Sequence, residues 1–172
     1  MKTLRADLEQ NGAGWCRALK SIFVPDAINA ILWIRIYLWL EERGLPTFWS
    51  HRILLHLHGL EFARGVQIGP GLYLPHPRGV LFAESTILGA GVAVYGNVRF
   101  LRKDERAPMI GDNVSIGDGA QFVGATSIGA DSKVGAGAVV TRSFPERSVI
   151  AGNPAKLIRT LVVESHNGEV VR

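Results

Sequence analysis

Among the side chains able to move protons near neutral pH, the five histidines come first, because a neutral imidazole both accepts and returns a proton there. His51, His56 and His58 lie close together, and His166 stands beside Asn167-Gly168. None of these spacings makes the His-Glu-x-x-His pattern that grips zinc from one helical face, and a lone Cys16 supplies no thiolate set. Structural or surface roles suit these four, and no metal is expected. His76 differs, because Pro75 and Pro77 fix the backbone on both sides of it. A lone histidine so held is either a satisfied surface residue or a proton acceptor, and spacing alone leaves both readings open.

The element that must position His76 has a period of six. Ile68, Leu74, Val80, Thr86, Val92 and Val98 recur at that interval, and after an interruption so do Ile110, Ile116, Phe122, Ile128, Val134 and Val140. Gly follows directly at Gly111, Gly117, Gly129 and Gly135. Six matches neither the 3.6 of an α-helix nor the two of a simple strand; it is the signature of a parallel β-helix. Three hexads close one triangular coil, with aliphatic residues pointing inward and Gly, Ala, Asn and Asp at corners that need permissive backbone angles. Each coil buries the face of the next, and about four coils from Ile68 to Val140 suffice to stand. The fold class is mainly β, with an α-helical amino-terminal region. Residues 99–109 break the period with Arg99, Arg102, Lys103, Asp104, Glu105 and Arg106. Burying such charges in a wall would cost heavily in desolvation, so the segment is predicted to leave the coil as a projecting loop.

At 172 residues the chain suits one principal domain with an appendage: a helical region over 1–60, the β-helix over 61–159, and a hairpin or tail over 160–172. The net charge of +4 is mild and no basic run forms a nucleic-acid footprint, although it would suit a small anionic ligand. Acidic Asp7 and Glu9 occupy the place of a signal peptide's apolar core, so a cytoplasmic location is expected. Pro25 and Asp26 can open a helix running from Ala27 to Leu40, stopped by Gly44 and Pro46. At about fourteen residues and with Arg35 inside, it is too short to span a bilayer. Its nearly all-round apolar character suits burial against a partner subunit or its own coils, with peripheral membrane contact the lesser reading. A second helix is predicted from Phe48 to His58, and the β-branched runs around Asn167-Gly168 read as a terminal hairpin.

The run Ile68-Gly69-Pro70-Gly71-Leu72-Tyr73-Leu74-Pro75-His76-Pro77-Arg78-Gly79-Val80 resembles the coil that carries the catalytic histidine in the serine acetyltransferase family of hexapeptide-repeat acyltransferases. It is closest in style to short members from cell-surface polysaccharide pathways. The likeness extends over roughly 35–159, through the terminal motif Ala151-Gly152-Asn153-Pro154-Ala155-Lys156. It implies a left-handed parallel β-helix, a homotrimer, and acetyl-coenzyme A held in a groove between neighbouring coils. His76 then matches the general base, Glu61 its partner carboxylate (normally Asp), and Arg106 the arginine that holds the acceptor's carboxylate. Lys156 is expected at a coenzyme A phosphate, with the backbone of Asp118 and Ala136 along the pantetheine arm.

Several positions depart from that pattern. Pro75 stands in place of an acidic residue, Ala107 replaces a second active-site histidine, and the Gly-rich loop is shortened. The long amino-terminal helical domain and the isoleucine tail that docks onto cysteine synthase have no counterpart, so no such complex is expected. The resemblance implies direct transfer from acetyl-CoA to the hydroxyl of serine or a related small acceptor, with His76 as base and no covalent acyl-enzyme. A sugar hydroxyl is the alternative acceptor, and a non-catalytic assembly or binding β-helix is the reading from another class. A zinc β-helix hydratase is weaker, having only one histidine on the coils.

Overall fold

The computed structural model describes residues 2–14, 27–103 and 105–162. Among the described residues three helices precede the coils: α1 (Lys2–Gln10), α2 (Ala27–Glu42) and α3 (Phe48–His58). The second and third fall where the sequence places them, while α1 lies in a segment read only for export signals. The apolar stripe of α2 buries Ile28, Ala30, Ile31, Ile34 and Tyr37. Gly59 ends α3 in the left-handed conformation at φ 62° and returns its N–H to the last turn, as a glycine C-cap does. Among the described residues no helix is long and apolar enough to cross a membrane. The helix-opening Pro25-Asp26 pair and the hairpin around Asn167-Gly168 lie outside the described residues.

Three walls of short parallel strands form the coils. The first stacks β1 (Glu61–Phe62), β3 (Leu81–Phe82), β6 (Arg99–Leu101), β9 (Gln121–Val123) and β12 (Val139–Val140). The second stacks β2 (Gln67–Ile68), β4 (Ile87–Leu88), β7 (Met109–Ile110) and β10 (Ser127–Ile128). The third stacks β5 (Ala93–Val94), β8 (Ser115–Ile116), β11 (Lys133–Val134) and β13 (Ser148–Ala151), with Tyr73 bridged to Ala93 ahead of them. A last strand, β14 (Lys156–Thr160), turns back antiparallel on β13. This is the parallel β-helix the hexads imply, with each second strand residue pointing into a continuous core.

The pairing corrects the reading in sixes at one place. Phe82 pairs with Phe100 and Phe122 with Val140, three hexads apart, but Phe62 pairs with Phe82 and Phe100 with Phe122 over longer intervals. Two extra residues lie between Leu74 and Phe82, and four between Phe100 and Ile110. The wall residues of the second coil are therefore Phe82, Leu88 and Val94, with Phe100 opening the third, rather than Val80, Thr86, Val92 and Val98. Both sets are buried, because the residue two before each wall position also faces inward, as Val114, Ala120 and Thr126 do later.

The loop is also narrower than expected. Arg99–Leu101 and Met109 belong to walls, and among the described residues of the segment 102, 103 and 105–108 lie outside them. Arg99 costs no desolvation because it occupies the outward side of a strand whose inward residue is Phe100. Lys103 and Arg106 close the loop through two backbone hydrogen bonds of 3.1 Å. Arg102 pairs with Glu84 at 2.6 Å across the base of the loop.

A buried ion pair fastens the helices to the first coil. Asp7 on α1 accepts from Arg35 Nε at 2.6 Å and from the N–H groups of Gly71 and Leu72 at 2.8 and 2.9 Å. Arg35 also donates to the carbonyls of Ile68 and Gly69, and Asn11 to that of Leu72. Tyr37 packs on Phe62, and burial pushes its phenol above the ordinary value, so it stays protonated through the neutral range.

Candidate active site

His76 occupies the longer of the early corners, the turn from the third wall to the first. The two-residue insertion lifts Pro75–Gly79 off the prism, and Gly79 closes the turn at φ 73° by donating to Gly59 O at 3.0 Å. The imidazole is exposed, and among the described residues neither ring nitrogen has a hydrogen-bond partner. Glu61 is exposed on β1, paired in register with Leu81, just past the rung that ties Gly79 to Gly59. The two side chains share a coil and a corner, with no hydrogen bond between them among the described residues.

Further along that corner the coils bring together residues that sequence could only place singly. A Cβ built on Gly96 would stand 3.5 Å from His76 Cβ and 2.7 Å from Asp118 Oδ2. Gly119 donates to Gly96 O at 2.9 Å, and Gly137 to Asp118 O at 2.8 Å. A Cβ on Gly117 would come within 2.5 Å of Ala136 N. His76, Gly96, Asp118 and Ala136 thus form one column. Among the described residues the N–H groups of Asp118 and Ala136 have no acceptor, which leaves them open to a carbonyl-bearing ligand. Ala151-Gly152-Asn153-Pro154-Ala155 forms the same corner one coil on, with a cis Asn153-Pro154 bond, and delivers exposed Lys156 opposite Ala151.

Arg106 is not brought to this column within one chain. Its loop leaves the corner between the first and second walls, so the whole strand Arg99–Leu101 separates it from the His76 edge. Ala107 sits on that loop, and Pro75 is half-buried beside His76. Among the described residues no three His, Cys, Asp or Glu side chains converge as a metal site would require.

Two features of the corner escape a reading by sixes. Gly96 is one, since its place beside His76 becomes legible only after the two-residue slip. The other is Tyr73 and Tyr95, which meet edge to face at 6.2 Å on the wall leading into this corner.

The parallel β-helix is of the kind that hexapeptide repeats build, and the family described as bacterial transferase hexapeptide (six repeats) matches residues 107–142. Across most of its length the chain is similar to serine acetyltransferases built on hexapeptide repeats. It is 33% identical over 147 residues to a serine acetyltransferase of Mycobacterium tuberculosis, covering 82% of this chain and 64% of that protein. A Helicobacter pylori serine acetyltransferase is 39% identical over 106 residues, covering 58% of this chain and 61% of the relative. The chain thus spans less than two thirds of these curated relatives. Among solved structures, soybean serine acetyltransferase complexed with serine superposes with a TM-score of 0.80 at 27% identity, covering 91% of this chain and 68% of that one.

Proposed function

We propose that this chain transfers the acetyl group of acetyl-CoA to the hydroxyl of serine or a related small acceptor, in the cytoplasm, as a homotrimer with its sites between neighbours. The corner column carries the reading: an exposed histidine, two open backbone N–H groups and a terminal lysine lie along one edge of a chain similar to serine acetyltransferases. The soybean relative's complex with serine supports serine as the acceptor.

In this mechanism His76, steadied by Glu61, removes the hydroxyl proton as the oxygen attacks the thioester carbonyl. Negative charge gathers on the former carbonyl oxygen, and a backbone N–H stabilises it. Collapse breaks the C–S bond, and the imidazolium returns its proton to the departing thiolate. The open N–H groups of Asp118 and Ala136 hold the pantetheine arm, while Lys156 neutralises a phosphate. Arg106 projects from a different corner, so it holds the acceptor's carboxylate in the site of a neighbouring copy; cyclic closure supplies that arrangement at every edge.

Thiol release from acetyl-CoA, measured with serine, homoserine and sugars in parallel, tests the proposal. Acceptor-dependent release with serine or homoserine is expected. Release with sugars alone would move the acceptor class, and none with any hydroxyl would overturn the enzyme reading.

A further inference from the structure

The corner turns of this β-helix carry two aspartates in comparable positions, and they are employed differently. At the corner between the second and third walls, Asp112 caps the preceding coil: its Oδ1 accepts from Ala90 N–H at 2.7 Å. At the His76 corner, Asp118 Oδ1 meets Asn97 Nδ2 at 3.4 Å, and among the described residues Oδ2 has no partner. That free oxygen lies over Gly96, 2.7 Å from where a Cβ would stand, and the same point lies 3.5 Å from His76 Cβ. The carboxylate and the base of the histidine side chain therefore both lie against Gly96. Gly96 does not need glycine for its backbone angle, since its φ is not among the positive ones. Its missing side chain is what lets the Asp118 carboxylate lie so close.

We infer that Asp118 is a positioning residue for His76, a second carboxylate that orients the imidazole, directly or through one water. The inference rests on His76 being the base. His76 then has carboxylates on both sides along the corner, Glu61 from the side of Gly59 and Asp118 across Gly96. An imidazole N–H turned toward Asp118 Oδ2 leaves the other nitrogen free to take the acceptor's proton. This adds a side-chain role to a residue whose backbone N–H the proposed mechanism gives to the pantetheine arm. The side chain acts through His76 alone, so its loss should change turnover rather than cofactor binding.

The experiment measures kcat and KM for acetyl-CoA and serine in the full chain carrying Asp118→Ala, Asp118→Asn or Gly96→Ala, each alone and with His76→Ala. Asp118→Ala should lower kcat about tenfold to a hundredfold, a part of what general base catalysis supplies, with KM for acetyl-CoA unchanged. Asp118→Asn retains an acceptor oxygen and should recover part of the loss. Gly96→Ala, which pushes the carboxylate aside without removing it, should reproduce the Asp118→Ala defect. None of the three should lower turnover further once His76 is alanine. Normal kcat in Asp118→Ala beside a crippled His76→Ala would overturn the inference and leave the base assignment standing. A change confined to KM for acetyl-CoA, or an equal loss in the His76→Ala background, would overturn it as well. Full turnover in His76→Ala would remove the base itself, and Asp118's role with it. Ring ¹⁵N shifts of His76 give a readout free of turnover: they should move in Asp118→Ala, and unmoved shifts would overturn the proposal.

Discussion

Phe100 stacks on Phe122 across the first wall, with ring centroids 5.1 Å apart and planes 11° from parallel. Phe82 lies on the other face of Phe100 at the same spacing, so Phe100 is enclosed by aromatic rings above and below. Phe100→Ala leaves a cavity that neither neighbour can fill without leaving its strand. A loss of about 3 to 5 kcal/mol in unfolding free energy is expected, read by denaturant titration. Turnover per folded molecule should hold.

His76 and Glu61 should separate chemistry from folding. His76→Ala is expected to lower turnover by about two to four orders of magnitude while melting temperature and CoA binding stay near normal. Glu61→Gln should cost less, and the double variant scarcely more than His76→Ala, because a carboxylate has nothing to steady once the imidazole is gone. A lowered melting temperature with near-normal turnover would instead make His76 a packing residue.

Lys156 stands exposed at the start of β14, without an ion-pair partner among the described residues. Lys156→Ala should raise KM for acetyl-CoA at low salt, with the difference shrinking as ionic strength rises. Equal KM values at low salt would free Lys156 from any cofactor role.

Arg106 and His76 lie on different corners, and that separation can be put to work. On the proposed trimer, Arg106→Ala and His76→Ala chains, each nearly inactive, should regain serine-dependent turnover when unfolded and refolded together, because some edges then join an intact His76 to an intact Arg106. Mixtures no more active than their parents would place the whole site within one chain. Sedimentation of the wild type as an active monomer would do the same.

The Asp7–Arg35 pair is a stability device. Asp7 is fully buried and the Arg35 side chain is 12% exposed, so Asp7→Ala strands a guanidinium and two backbone N–H groups. A loss of about 3 to 5 kcal/mol is expected, measured by thermal or denaturant unfolding.

The fold was legible because a repeating unit writes its period many times. One hexad proves little, but Ile110, Ile116, Phe122, Ile128, Val134 and Val140 hold register without a gap. The slip before Phe82 was hidden because both the wall residue and the one two before it are apolar. The aromatic run Phe62, Phe82, Phe100 and Phe122 marks the true register, but as an irregular interval rather than a period. Asp7 and Arg35 could not be paired from sequence, since nothing local links residues 28 apart on different helices. His76 stood out through its prolines; the nearness of Asp118 needed the stacking of three coils.

The clamp on the first coil also limits how far the molecule can grow. A stack of parallel strands ends in a row of unpaired backbone groups, an open template for another chain. Here Arg35 occupies the carbonyl of Ile68 and Asp7 the N–H of Gly71, whose counterparts one coil on, Leu88 O and Gly91 N–H, bond back to the first coil. At the far end β14 reverses direction on β13, so no further parallel rung can follow in that wall. Both ends of the stack are thus covered against fibre-like extension, and the histidine corner lies on the side of the prism.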